Sequence, residues 1–349
     1  MDVSVIIPTH GRPRKAAECV RALAAQTLEP DRYEVLVGLD GPDPDTERAV
    51  TEAWPDPPPG SLRVVTCRRA GYNAVRNELL AMCRGRTLVS LNDDVRPRPE
   101  FLDVHRAEQQ RGAEAGRPAI VVGLSPWVPP AADRLFDRLV RETSMVFFYD
   151  RMDDADPDHD WGFRHAWGLN VSMPAGAVSA VGGWTAFPLE YGYDDIEIAW
   201  RLRKRFGARV LYRRSALAPH DHRYDPRGYL EREFRLGRSA WNFALGNPEF
   251  ARDVFGRNVV SRNEIAYSRA FIRHERATAA RVMASFERLT DMPATIVDGP
   301  HAEALVKLIY EQHLPLKRWM WTAGLLAAAE GRPIDDVTWP QGTTDDARL

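Results

Sequence analysis

The residues of this chain best suited to chemistry fall in three places. Asn92, Asp93 and Asp94 follow the short apolar run Leu88, Val89, Leu91. Asp194, Asp195 and Glu197 open a stretch that ends in the cations Arg201 to Arg205. His220 and His222 come shortly afterwards. Two adjacent acids repel unless a cation sits with them, and hard divalent ions take carboxylate oxygens and phosphates together. The triplet therefore admits a metal site for a phosphorylated ligand. By itself it reads more readily as an Asx-rich turn, because Asn and Asp bond their own backbone. The second cluster is equally what a structural helix shows, with acids at its positive end, bases at its negative end and Glu197 able to pair with Arg201. Histidine is a common metal ligand, although a surface loop accounts for a lone one.

What must position these groups is an alternation of strands and helices. Val3 to Ile7, Tyr33 to Leu39, Leu62 to Cys67 and Arg86 to Leu91 are β-branched or apolar runs. Between them lie helical spacings: Ala16, Val20 and Leu23; the stretch Asp45 to Trp54; and Val75, Leu79 and Met82 within Gly71 to Cys83. This order predicts an α/β fold, a mostly parallel sheet flanked by helices. In such a sheet ligands gather at the carboxyl ends of the strands, which puts Asp40 on the same edge as Asp93 and Asp94. Neither GxGxxG nor GxxxxGK[ST] is present, so dinucleotide and P-loop readings have no support.

Farther along, Ala119 to Leu124 reads as another strand and Asp133 to Thr143 as a helix. The acidic run Arg151 to Asp160 reads first as a solvated loop, with a second metal site or a lid as alternatives. Trp167 and Trp184 are candidates for stacking on a ligand ring, against simple core packing. Ala208 to Leu211 is a strand. Helices dominate after Asp225, in Tyr229 to Phe243, Ser261 to Leu289 and Ala302 to Ala329, where Pro315 is expected to break or kink the last. Residues 1–220, 221–334 and 335–349 are the expected catalytic domain, helical region and polar frayed tail.

Of 349 residues, 44% are hydrophobic and 28% charged, enough for a sizeable core. Lys plus Arg is 47 against 49 Asp plus Glu, a net charge of -2, which argues against a nucleic-acid binder. Three unpaired cysteines suggest reduced thiols rather than disulfides or zinc. The N-terminus lacks signal-peptide character, and no apolar run approaches the ~20 residues that span a membrane. The expectation is a cytoplasmic chain. A Trp- and Leu-rich face with Lys317 and Arg318 suits packing within the protein or in a homodimer through the C-terminal helices, ahead of peripheral membrane contact.

Four segments, in order and spacing, resemble the family 2 glycosyltransferases: SVIIPTHGRP at Ser4 to Pro13, EVLVGLDGPDPDT with Asp40, GYNAVRN at Gly71 to Asn77, and SLNDDVRPRPEFL around the DxD position. Two more follow, AWGLNVSMPAGAVSAVGGW and DDIEIAWRL, the latter similar to that family's EDxDLxxRL. The resemblance implies a GT-A fold and an inverting transfer of sugar from a nucleotide-diphosphate sugar, most commonly a UDP-sugar, to a hydroxyl acceptor. It implies Asp195 as general base. Pro8, Thr9, Asp40 and Arg76 would hold the nucleoside, with Asn92 and Asp93 at the sugar or ribose. Asp94 and His220, with His222 in reserve, would hold Mn²⁺ or Mg²⁺, and Trp184 and Asp194 would lie on the acceptor side. The chain departs from the pattern at Asn92, in place of the first DxD acid, at His10 and Gly11, and at Gly41. The rival readings are a sugar-phosphate nucleotidyltransferase and a non-catalytic carbohydrate- or nucleotide-binding relative.

Overall fold

A computed structural model describes residues 1–186 and 192–341. The chain begins β1 (Val3–Thr9), α1 (Pro13–Ala24), β2 (Tyr33–Asp40), α2 (Pro44–Ala53), β3 (Leu62–Cys67), α3 (Tyr72–Leu80), β4 (Thr87–Leu91), α4 (Phe101–Glu114) and β5 (Ala119–Leu124). It continues through α5 (Leu135–Glu142), β6 (Asn170–Pro174), α6 (Ala175–Ala180), α7 (Asp194–Phe206) and β7 (Arg209–Leu217). The helices α8 (Pro226–Gly246), α9 (Pro248–Phe255), α10 (Arg262–Glu287) and α11 (Ala302–Ala329) complete it.

Two compact units are drawn from discontinuous stretches. The first comprises Met1–Val128, Arg151–Leu189 and Asp194–His222, and contains a seven-stranded sheet in the order β3-β2-β1-β4-β6-β5-β7. All pairings are parallel except those of β6, which runs against β4 and β5. Every residue of β1 and β4 is buried, as expected for parallel strands covered on both faces. Because β1, β2 and β4 run in the same direction, Thr9, Asp40 and the Asn92 triplet emerge on one edge. Antiparallel β6 starts at that edge: Asn170 lies opposite Leu91, and the Asn92 N–H donates to the Leu169 carbonyl at 3.3 Å. The helix starts are written locally. Asp43, for example, caps α2 by accepting the Thr46 N–H at 3.1 Å, with Pro44 at the first helical position.

The acidic run is a paired loop. Asp158 meets Arg111 at 3.1 Å, Asp160 meets Arg203 at 2.7 Å, and Asp154 accepts the Arg214 N–H at 3.0 Å. Arginine side chains thus compensate Asp158 and Asp160, which fits the loop reading. The last strand is longer than the expected Ala208 to Leu211 and runs to Leu217.

The second unit, Pro129–Asp150, Glu190–Tyr193 and Arg223–Leu349, is helical and takes α5 from the middle of the sequence. Here α8 and α11 cross at glycines. A Cβ on Gly237 would stand 1.8 Å from the Trp321 carbonyl oxygen, and one on Gly324 would stand 1.8 Å from that of Phe234. Only hydrogen at both positions permits the approach. Of the expected break or kink at Pro315 there is no break: α11 continues through it. Leu316, Trp319 and Met320, all at most 1% exposed, pin the following turn, so packing outweighs the hydrogen bond that proline forfeits. Nor is the chain frayed directly after Asp335: the Arg227 guanidinium lies 5.3 Å over the Trp339 ring and Pro340 is buried. Residues 342–349 of the expected tail lie outside the described residues. Among the described residues no helix is long and apolar enough to cross a membrane.

Candidate active site

The strand-end acids are held by short polar contacts. Thr9 Oγ1, at the end of β1, donates to Asp93 Oδ2 at 2.6 Å. Arg12 Nη1 donates to Asp93 Oδ1 at 2.6 Å and lies 3.1 Å from Asp94 Oδ2. Both carboxylates are buried, at 3% and 4% exposure. Burial pushes the Asp93 carboxyl above the usual range, with Arg12 and Thr9 opposing it. Asp94 ends well below that range. Burial acts upward on it too, but the bonds from His220 and His222 and the charge of Arg12 prevail.

Both histidines reach Asp94. His220 Nε2 lies 3.3 Å from Oδ1 and His222 Nδ1 lies 3.2 Å from Oδ2. One ligand atom from each of Asp94, His220 and His222 can be chosen so that all lie within 4.8 Å of one another. Their loop is fastened by backbone bonds, Asp221 N–H to the Asp94 carbonyl at 2.7 Å and His220 N–H to the Pro126 carbonyl at 2.8 Å. Arg96 bridges Glu18 and Asp221, and the Trp127 ring packs 4.4 Å from that of His220. The donor set, two imidazoles and a carboxylate on a fixed loop, fits a divalent transition ion better than Mg²⁺, which prefers oxygen alone. His222, the reserve ligand, thus has the same standing as His220.

The second cluster stands at the start of α7. Asp195 Oδ2 accepts the Gly168 N–H at 2.8 Å, and Oδ1 accepts from Arg76 Nη1 at 3.0 Å. Its side chain is 28% exposed, enough to meet a substrate. Asp194 is buried. It accepts from the Tyr72 hydroxyl at 2.7 Å and lies 3.3 Å from Arg76 Nη1. Burial first and the neighbouring Asp195 second push the Asp194 carboxyl up, to about 7, against Arg76 and Tyr72. The two acids are therefore unlike: one is partly exposed, the other buried and inclined to keep a proton.

Gly168 is needed where it stands, because a Cβ there would lie 2.2 Å from Asp195 Oδ1. Gly168→Ala should push the carboxylate off its seat. Displacements near 1 Å in a catalytic group cost about 10²-fold in rate, so kcat should fall by about that factor while nucleotide affinity, measured by calorimetry, stays put. Unchanged kcat would show that the seat does not matter.

Several expected roles shift. Arg76, assigned to the nucleoside, is 2% exposed and faces the acid pair. Trp184 is also 2% exposed, with the Arg76 guanidinium 5.5 Å from its ring centroid, so no open face remains for a sugar. Trp167 is buried as well. Glu197 pairs with Arg201 at 2.8 Å, as the helical spacing predicts. Pro8 lies within β1 and is buried. Asp40, at the end of β2, accepts the Ala70 N–H at 2.9 Å and the Gly71 N–H at 3.2 Å. Three contributors were not legible as such: Arg12, Tyr72 and Gly168. The one available signal was a cation placed just past the end of β1.

Residues 4–166 match the model of glycosyl transferase family 2. That match covers a little under half of the chain. Two curated relatives, both named validoxylamine A glucosyltransferase, come from Streptomyces hygroscopicus subsp. limoneus and subsp. jinggangensis. They are 29% and 28% identical over 249 residues, 64% of this chain and 53% and 57% of theirs. The chain thus spans about half the length of the curated relatives it matches. Among solved structures, the mannosyltransferase PcManGT of Pyrobaculum calidifontis, in complex with GDP-Man and Mn²⁺, matches with TM-score 0.54 at 19% identity, covering 94% of this chain and 86% of that one. S. aureus TarS matches with TM-score 0.50 at 12% identity, covering 94% and 55%. These two show the GT-A fold and nothing finer.

Proposed function

We propose that this glycosyltransferase moves a sugar from a nucleotide-diphosphate sugar to a hydroxyl acceptor by a single, inverting displacement, with a divalent cation at Asp94, His220 and His222. The observation that carries the reading is the seat of Asp195. A partly exposed carboxylate is oriented by the Gly168 N–H and Arg76, one residue along the chain from the Leu169 carbonyl that pairs with Asn92. Base and strand-end acids therefore share one sheet edge.

Asp195 takes the proton of the acceptor hydroxyl as its oxygen bonds to the anomeric carbon, and the bond from that carbon to the diphosphate breaks with its electron pair leaving on the phosphate. Arg76 keeps Asp195 oriented and Asp194 compensated. Asp40 and Thr9 at the end of β1 receive the nucleoside, and Asn92 and Asp93 face the sugar or ribose. When bound, the cation supplies Lewis-acid stabilisation of the diphosphate leaving group. Glucose is the first sugar to test and a small polyhydroxylated molecule the first acceptor, by analogy with the two named relatives.

The test is a screen of UDP-, GDP- and dTDP-glucose for hydrolysis, and for transfer to validoxylamine A. Turnover should appear with Mn²⁺, require more Mg²⁺ than Mn²⁺, vanish on chelation and return on adding Mn²⁺ back. Full turnover in chelator would remove the cation from the proposal. Nucleotide binding without turnover under every condition would favour the non-catalytic relative.

A further inference from the structure

Arg12 occupies the place where the cation would go. Its Nη1 lies 2.6 Å from Asp93 Oδ1 and 3.1 Å from Asp94 Oδ2, and its Nη2 lies 3.4 Å from His222 Nδ1. Two of those atoms, Asp94 Oδ2 and His222 Nδ1, belong to candidate ligands of the ion. An ion at about 2.1 Å from each would fill the volume that the guanidinium now holds, and two positive charges would repel at close range. They cannot both stay.

We propose that Arg12 is a built-in counter-ion that guards the cation site and leaves it for the donor's diphosphate, so that cation and nucleotide bind cooperatively. This rests on the cation site proposed above. Three features support it. Arg12 offsets one of two buried, adjacent carboxylates, so the site holds together before any ion arrives. Its side chain is 36% exposed, with solvent on one side into which it can swing. It lies between two fixed points, the Gly11 N–H held by Asp43 Oδ2 at 2.8 Å and helix α1 from Pro13, so its backbone stays while the side chain moves. A displaced guanidinium seeks an anion, and its planar fork suits phosphate oxygens in bidentate contact. The arriving diphosphate supplies one. Coupling of this kind is reciprocal: each ligand tightens the other by the same factor.

The experiment is Mn²⁺ titration of the full chain, by calorimetry or by the electron paramagnetic resonance of free Mn²⁺, alone and with UDP or GDP. Without nucleotide, Arg12→Gln should bind Mn²⁺ about tenfold tighter than wild type, the size of one charge-assisted contact. It should also gain less from nucleotide than wild type does. Arg12→Lys, which keeps a charge for Asp93, should fall between the two and serves if the glutamine variant folds poorly. Equal or weaker Mn²⁺ binding by Arg12→Gln, or an undiminished gain from nucleotide, would overturn the proposal. Asp94→Asn separates the two readings. Mn²⁺ binding that survives in this variant removes the cation site itself, and the role of Arg12 with it. Binding that needs Asp94 but ignores Arg12 removes only the role of Arg12.

Discussion

Asp195→Asn should lower sugar transfer about a thousandfold, the middle of the range for removing one general base, while leaving nucleotide affinity unchanged. Asparagine has nearly the same shape as aspartate. Its carbonyl oxygen can still accept the Gly168 N–H, so the start of α7 need not move. What it lacks is the ability to take a proton, together with the second oxygen that accepts from Arg76. Single-turnover transfer and calorimetric binding of the nucleoside diphosphate, measured on the same preparation, separate chemistry from binding. A variant that transfers at the wild-type rate would move the base elsewhere. Asp194 is a poor substitute because it is buried against Tyr72 and Arg76.

Arg76→Met should be the most damaging change to stability in the sheet unit, about 3 kcal/mol at pH 8. Removing one partner of a buried ion pair leaves an uncompensated charge, and that is the usual scale of the loss. Most of it belongs to buried Asp194; the share of Asp195, 28% exposed, is screened by solvent. The sign with pH follows from the raised Asp194 carboxyl. With a folded pKa near 7, above the unfolded carboxylate range, the folded chain holds more protons than the unfolded one between about pH 4 and 7. The contribution of Asp194 to stability is therefore present at low pH and lost as pH rises through about 7. Without Arg76 the ionised form is worse still, so the gap between wild type and variant should be widest at pH 8 and shrink towards pH 5. Urea unfolding at the two pH values measures it. A gap independent of pH would mean that Arg76 contributes packing over Tyr72 and Trp184, not charge.

The sheet could be read from sequence because its strands are local statements. Val3 to Ile7 and Tyr33 to Leu39 are unbroken apolar runs closed by polar residues, and burial on both faces demands that pattern. The acids at their ends were legible for the same reason, since a polar residue straight after such a run must lie at the sheet edge. Partnership was not legible. Arg76 reads as one cation on an ordinary helix, and its partners lie 118 and 119 positions away. Trp184 has the composition of a sugar platform and the environment of a core residue, and nothing within its own segment separates the two. Pro315 shows the opposite failure: a strong local rule was overridden by burial of the turn after it. Gly168 carries no chemistry of its own, so only the position of the Asp195 carboxylate reveals why a side chain is absent.

The reversed direction of β6 has a consequence for how such a protein can be re-engineered. β5 leaves the sheet at Leu124 and β6 re-enters at Asn170, both at the edge where the site lies, because the two strands run antiparallel. Everything between is an excursion with both ends anchored at the same rim. Its two ends are part of the site: Pro126 accepts the His220 N–H, Leu169 accepts the Asn92 N–H, and Gly168 donates to Asp195. Chimaeras that exchange part of the excursion should therefore keep Pro126, Trp127, Gly168 and Leu169, which hold the His220 loop, Asn92 and the seat of Asp195.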